Sequence, residues 1–97
     1  MAVSRKERRE ERRARVEAVF GEKAGYGVLD LLELVEFAWH DCYAEITPPD
    51  HIIDEILFCS EGDVLKLMHA ARLAVDDWRD LKVWAQTLRA EAEDSKT

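Results

Sequence analysis

From Asp63 to Thr97 the chain contains neither glycine nor proline, and apolar residues recur there at helical spacing. Val64, Ala71, Trp78, Ala85 and Ala92 stand seven residues apart. Leu67, Met68, Ala74, Val75, Leu81 and Leu88 fill the positions between them. A segment of this length with a heptad-like apolar repeat folds as helix, because a strand would send the same residues alternately to both of its faces. The pattern predicts one long helix from about residue 63 to residue 92. The alternative is a break at Asp76-Asp77, where paired carboxylates favour a new helix N-terminus. Residues from Glu93 onward are expected to be disordered.

The remainder points the same way. The whole chain of 97 residues holds four glycines and two prolines, is 47% hydrophobic and 36% charged. This is the composition of one helical domain able to form a core without metals or disulfides. A domain of this size is marginal in stability, so self-association is a way to bury more surface. Cys42 and Cys59 both lie in apolar surroundings and are expected to be reduced core residues.

Upstream, Ser4 with Glu7 matches a capping box and starts a helix ending near Val19 or Phe20. The first half of that helix has no apolar face, and Val16, Val19 and Phe20 are its docking residues. Gly21, Gly25 and Gly27 then read as a flexible connector. Their spacing fits neither a phosphate-binding loop nor a dinucleotide fingerprint. A second helix is expected from Val28 to about Tyr43. Leu31, Leu34, Val35, Ala38 and Cys42 form its inner face, widened by Leu32, Trp39 and Tyr43. Asp30, Glu33, Glu36, His40 and Asp41 fall opposite, with Phe37 among them. Thr47-Pro48-Pro49-Asp50 reads as a helix start, with Thr47 as cap and Pro48 in the first helical position. The short helix after it buries Ile52, Ile53, Ile56 and Leu57, and Ser60 to Asp63 ends it and caps the next. The expected fold is all-α: a small bundle of four to five helices with a long C-terminal helix and a charged N-terminal helical arm. The arm spans residues 1–20 and the acidic helical domain residues 21–97.

Charge is unevenly spread. Residues 1–15 carry seven basic and three acidic side chains, a net +4. The remaining residues carry seven basic and eighteen acidic ones, a net −11, and the chain as a whole is −7. An acidic body repels nucleic acid and membrane surfaces and suits a basic protein partner. No apolar signal region follows the N-terminus and no run is long enough to span a bilayer, so a cytoplasmic protein is expected.

Catalytic and metal chemistry find little footing. Glu36 and His40 stand four apart, not at the Glu-x-x-His spacing of di-iron bundles. His40-x-Cys42 is one incomplete zinc pair. Cys42 and His40 are too close in sequence to face each other on a helix, and nothing supplies Cys59 with a base. No enzyme, metal or cofactor is expected. Arg5, Arg8, Arg9, Arg12 and Arg15 form a stripe suited to a phosphate backbone, to solvent, or to the acidic face of a second copy. Phe37 is ringed by Glu33, His40 and Asp41, which makes these four residues a candidate anchor for a basic partner, unless the N-terminal helix packs over them. Trp78, within Asp76-Asp77-Trp78-Arg79-Asp80, is expected in the core. Leu73, Leu81, Trp84 and Leu88 lie beside the heptad stripe, as a broad core face or as a self-association face. The leading expectation is a non-enzymatic protein–protein interaction module with an acidic binding face. The alternative is a small nucleic-acid-associated regulator that uses the basic arm.

Overall fold

The computed structural model describes residues 3–95, and every regular element among them is α-helical. There are three helices and not four to five: α1 (Arg5–Tyr43), α2 (Asp50–Ser60) and α3 (Val64–Asp94). Two of them carry one non-helical residue each, Gly21 in α1 and Asp77 in α3. Among the described residues no helix is long and apolar enough to cross a membrane. The chain divides into two compact units, one ending at Pro48 and the other beginning at Pro49. The boundary expected after residue 20 is therefore not where the division falls.

In the first unit α1 doubles back on itself. Ser4 caps its start: the Ser4 Oγ accepts from the Glu7 N–H at 3.2 Å and donates to the Glu7 carboxylate at 3.1 Å. The helix runs to Phe20, reverses at Gly21 (φ 82°, ψ 165°), and resumes directly. The expected glycine connector is thus a single residue. Gly25 and Gly27 are helical, because only Gly21 needs a positive φ, which costs a residue without a Cβ nothing. Gly25 serves another purpose. A Cβ there would lie 3.2 Å from Glu17 Cγ and 3.5 Å from Val16 Cγ1, so glycine lets the two arms approach closely.

The second arm buries Gly25, Val28, Leu29, Leu32, Val35, Glu36 and Trp39. This face is rotated by about one residue, ~100°, from the expected one. Leu34 and Cys42, expected inside, are exposed, and Leu31 and Ala38 are half-buried. Glu36, opposite Arg8 and Arg12 of the first arm, lies on the buried side. Ala44 (φ 59°) ends the helix, donating its N–H to the His40 carbonyl at 2.8 Å.

In the second unit α2 packs on α3. Ile52, Ile53, Ile56, Leu57 and Cys59 are buried, as are Leu67, Ala70, Ala71, Ala74, Leu81 and Ala85. α2 begins at Asp50 with Pro49 in the cap position and no side-chain cap. The expected Thr47 cap does not form, because the Thr47 hydroxyl is engaged elsewhere. Glu61 and Gly62, both at positive φ, end α2. The Asp63 carboxylate then accepts from the N–H groups of Leu65 and Lys66. The expected continuous C-terminal helix is broken at Asp77 (φ −156°, ψ 97°). There Asp77 accepts from the Arg79 N–H at 3.0 Å and its guanidinium at 3.2 Å, which holds its carboxyl below the usual range. Asp77 thereby behaves as an N-cap. Trp78, expected in the core, is half-buried. The helix continues through Asp94, past the point where disorder was expected. Lys96 and Thr97, in that same expectation, lie outside the described residues.

Candidate interaction site on the helical hairpin

The hairpin is closed by ions more than by oil. Of the first arm's apolar docking residues, Val16 alone is fully buried. Val19 is exposed and Phe20 half-buried. Between the arms lies a buried carboxylate, Glu36, with 3% of its side chain exposed. Arg8 grips it with two bonds, Nε to Oε2 at 2.6 Å and Nη2 to Oε1 at 3.0 Å. Arg12, 4% exposed, donates from Nη1 to Oε2 at 2.8 Å. The Thr47 hydroxyl donates to the same oxygen at 2.8 Å and accepts from Arg12 Nη2 at 2.9 Å. Burial works most strongly on the Glu36 carboxyl and pushes its pKa up. The hydrogen bonds from Arg8, Thr47 and Arg12, with the Arg12 charge, outweigh burial and leave the pKa below its ordinary value. A buried charge needs such partners, and here both carboxylate oxygens have them, three donors on Oε2 and one on Oε1.

A second, shallower tier sits outside this one. Arg9 bonds Asp30 at 2.8 Å, approaches Glu33 at 3.5 Å and lies 5.0 Å over the Tyr26 ring. Arg5 lies 4.2 Å over the centre of Phe37 and 4.0 Å from Glu36.

These contacts decide the fate of the candidate residues. Of the nucleic-acid stripe, Arg8, Arg9 and Arg12 point at carboxylates of their own chain, Arg15 is half-buried, and Arg5 remains exposed. The acidic face is likewise occupied: Glu33 is half-buried beside Arg9, and Glu36 was expected outside but is inside. The two blocks of opposite charge neutralise each other within one hairpin. The first unit holds eight basic and ten acidic residues, a net −2. The second holds six and eleven, a net −5, and so carries most of the chain's negative charge.

Phe37, His40 and Asp41 stay at the surface. Phe37 is 50% exposed, and beside it stands Ile46, 63% exposed, which the sequence did not single out. Phe37, Ile46, His40, Arg5, Arg8 and Glu36 line a recess of about 240 Å³. His40 directs Nδ1 at the Glu45 carbonyl, 3.2 Å away, and Glu45 accepts from Trp39 Nε1 at 3.2 Å. The turn carrying Ile46 is thereby tied back to the helix carrying Phe37. No ion-pair partner faces Asp41 among the described residues.

The self-association stripe does not form one exposed face. Leu81 is fully buried, while Leu73, Trp84 and Leu88 are half-buried, with Trp84 5.5 Å from the His69 ring. Cys59 is buried, and loss of solvent, with Glu55 nearby, pushes its thiol up to about 11. That is the opposite of nucleophile activation. Among the described residues no three His, Cys, Asp or Glu side chains converge to hold a metal ion. The chain matches no protein-family model, no curated protein and no solved structure.

Proposed function

We propose that this protein is a non-enzymatic protein–protein interaction module whose contact ledge is Phe37, His40, Asp41 and Ile46. The observation that carries the reading is the recess beside Phe37, in which two large apolar side chains stand exposed on a scaffold held rigid by a buried ion network. A recess of about 240 Å³ is small for a cofactor site and of the order of a single side chain. Aromatic residues set in such recesses are the usual anchors of protein interfaces. Glu33 contributes less than its spacing suggests, since Arg9 faces it. Asp41, exposed and facing no ion-pair partner among the described residues, favours a partner that offers an apolar side chain flanked by lysine or arginine. The inward-turned Arg8, Arg9 and Arg12 give the nucleic-acid reading no comparable support.

The test is a titration of the isotope-labelled chain with short helical peptides that carry one leucine or phenylalanine among lysines, against matched peptides with glutamates. The lysine peptides are expected to shift the amide resonances around Phe37, His40, Asp41 and Ile46, and Phe37→Ala with Asp41→Asn to abolish the shifts while leaving helical content unchanged. Shifts confined to the second unit, or equal response to both peptides, reject the ledge.

A further inference from the structure

We infer that the outer side of the second arm of α1 receives a basic amphipathic helix of a partner protein, seated on Gly27, Leu31, Leu34 and Ala38. These four residues follow one another at intervals of four, three and four, the spacing of a coiled-coil seam. Periodicity assigns Leu31, Leu34, Ala38 and Cys42 to the chain's own core, yet the arm buries a different side, through Val28, Leu29, Leu32, Val35 and Trp39. Leu34 is 63% exposed, Gly27 is exposed, and Leu31 and Ala38 are half-buried. Cys42, four residues past Ala38, continues the stripe and is exposed as well. The result is an uncharged strip about 22 Å long from Gly27 to Cys42, on a helix whose opposite side is fixed by the Glu36 clasp. Gly27 suits such a strip. A glycine inside a helix costs stability relative to alanine, and a Cβ there would meet nothing within 4 Å, so the chain's own packing does not require it. Bare backbone at the end of the seam lets a second helix come close, as Gly25 does for the first arm.

The borders of the seam select its occupant. On the side toward Phe37 stand Asp30, four residues before Leu34, and Asp41, three residues after Ala38. Both are exposed: Asp30 keeps 59% of its side chain in solvent while it holds Arg9, and Asp41 faces no ion-pair partner among the described residues. Lys23, four residues before Gly27, adds one cation at the Gly21 end. The other border, through Ala24, Val28 and Val35, carries no charge. The occupant is therefore a helix with aliphatic residues at coiled-coil spacing and lysine or arginine along one flank, opposite Asp30 and Asp41. The seam adjoins the Phe37 ledge but stands on Leu34, so each can fail without the other.

The test uses the whole chain, isotope-labelled, and a helical peptide of about 21 residues, three heptads, with leucines on one face and lysines along one flank. A peptide of the same composition, reordered so that its leucines share no face, is the comparison. The amphipathic peptide is expected to shift the amide resonances of Gly27, Leu31, Leu34 and Ala38 and to slow alkylation of Cys42, and the reordered peptide to do neither. Leu34→Lys is expected to weaken binding roughly 30-fold, the loss of one interface anchor, with helical content unchanged. Leu65→Lys, at a leucine of α3 that is 76% exposed, is expected to leave binding as it was. Equal response to the two peptides, or undiminished binding by Leu34→Lys, overturns the inference. Shifts confined to Phe37, His40, Asp41 and Ile46 uphold the ledge and overturn the seam, whereas shifts along the seam with Phe37 silent do the reverse. A mass of twice 11.2 kDa for the chain alone, halved by Leu34→Lys, gives the seam to a second copy and overturns the inference as well.

Discussion

At the scale of single residues the molecule turns on Glu36. A carboxylate this deeply buried is tolerated because four donors from three side chains converge on it. Removing the charge leaves two guanidinium groups facing each other with little water. Glu36→Gln is therefore expected to lower the free energy of unfolding by roughly 3 kcal/mol in a denaturant titration. Arg9→Ala, which breaks a pair with the exposed Asp30, should cost under about 1 kcal/mol. Equal effects at the two sites would mean that burial does not govern the network. None of this was legible from spacing. Glu36 sits among Asp30, Glu33, His40 and Asp41, and helical periodicity alone puts all five in water. The signal that identifies it is long-range: arginines at 8 and 12 on an arm with almost no apolar face have to find an acid somewhere.

At the scale of elements, the presence of helix was plain in the sequence and its interruptions were not. The heptad-like repeat after Asp63 does mark helix, and the Ile52, Ile53, Ile56 and Leu57 face of α2 is buried as its pattern implies. Yet Asp77 breaks α3, because an aspartate that caps through its own side chain competes with continued helix, a competition that apolar spacing does not register. The glycine cluster misled in the other direction. Three glycines suggest a loop, but two are used inside a helix, Gly25 for close approach and Gly27 with open space around it. Gly27 is thus a helix-interior glycine without a packing reason. Gly27→Ala is expected to raise stability by about 0.5–1 kcal/mol, read as a higher denaturant midpoint with unchanged slope. A loss of stability would show that the Gly27 face meets something that this structure does not contain.

At the scale of the whole molecule, opposite charges are sorted by unit and not by residue block. The arm's surplus cancels the acid of the helix it lies on, and the second unit keeps a net −5. Acid should therefore attack the hairpin through its clasp. The Glu36 pKa is lowered from an ordinary value of 4.5 in the folded chain, so below that value the unfolded chain takes up a proton that the folded one refuses. The stabilisation is complete above about pH 4.5 and is lost as pH falls through the depressed value. Asp77 adds in the same sense. The melting temperature is expected to fall as the pH drops below about 4.5, and to fall less steeply in Glu36→Gln. A flat profile for the native chain would contradict the burial of the clasp.

The unequal surroundings of the two cysteines have a practical side. Cys42 faces water near the end of α1, next to Asp41 and five residues after Phe37, while Cys59 is sealed inside the second unit with its thiol pushed up to about 11. An alkylating dye at neutral pH thus finds a single open sulfur on the native chain. The molecule comes with its own attachment point for a fluorophore, placed where docking at the ledge changes the dye's surroundings, and no engineered substitution is needed to put one there.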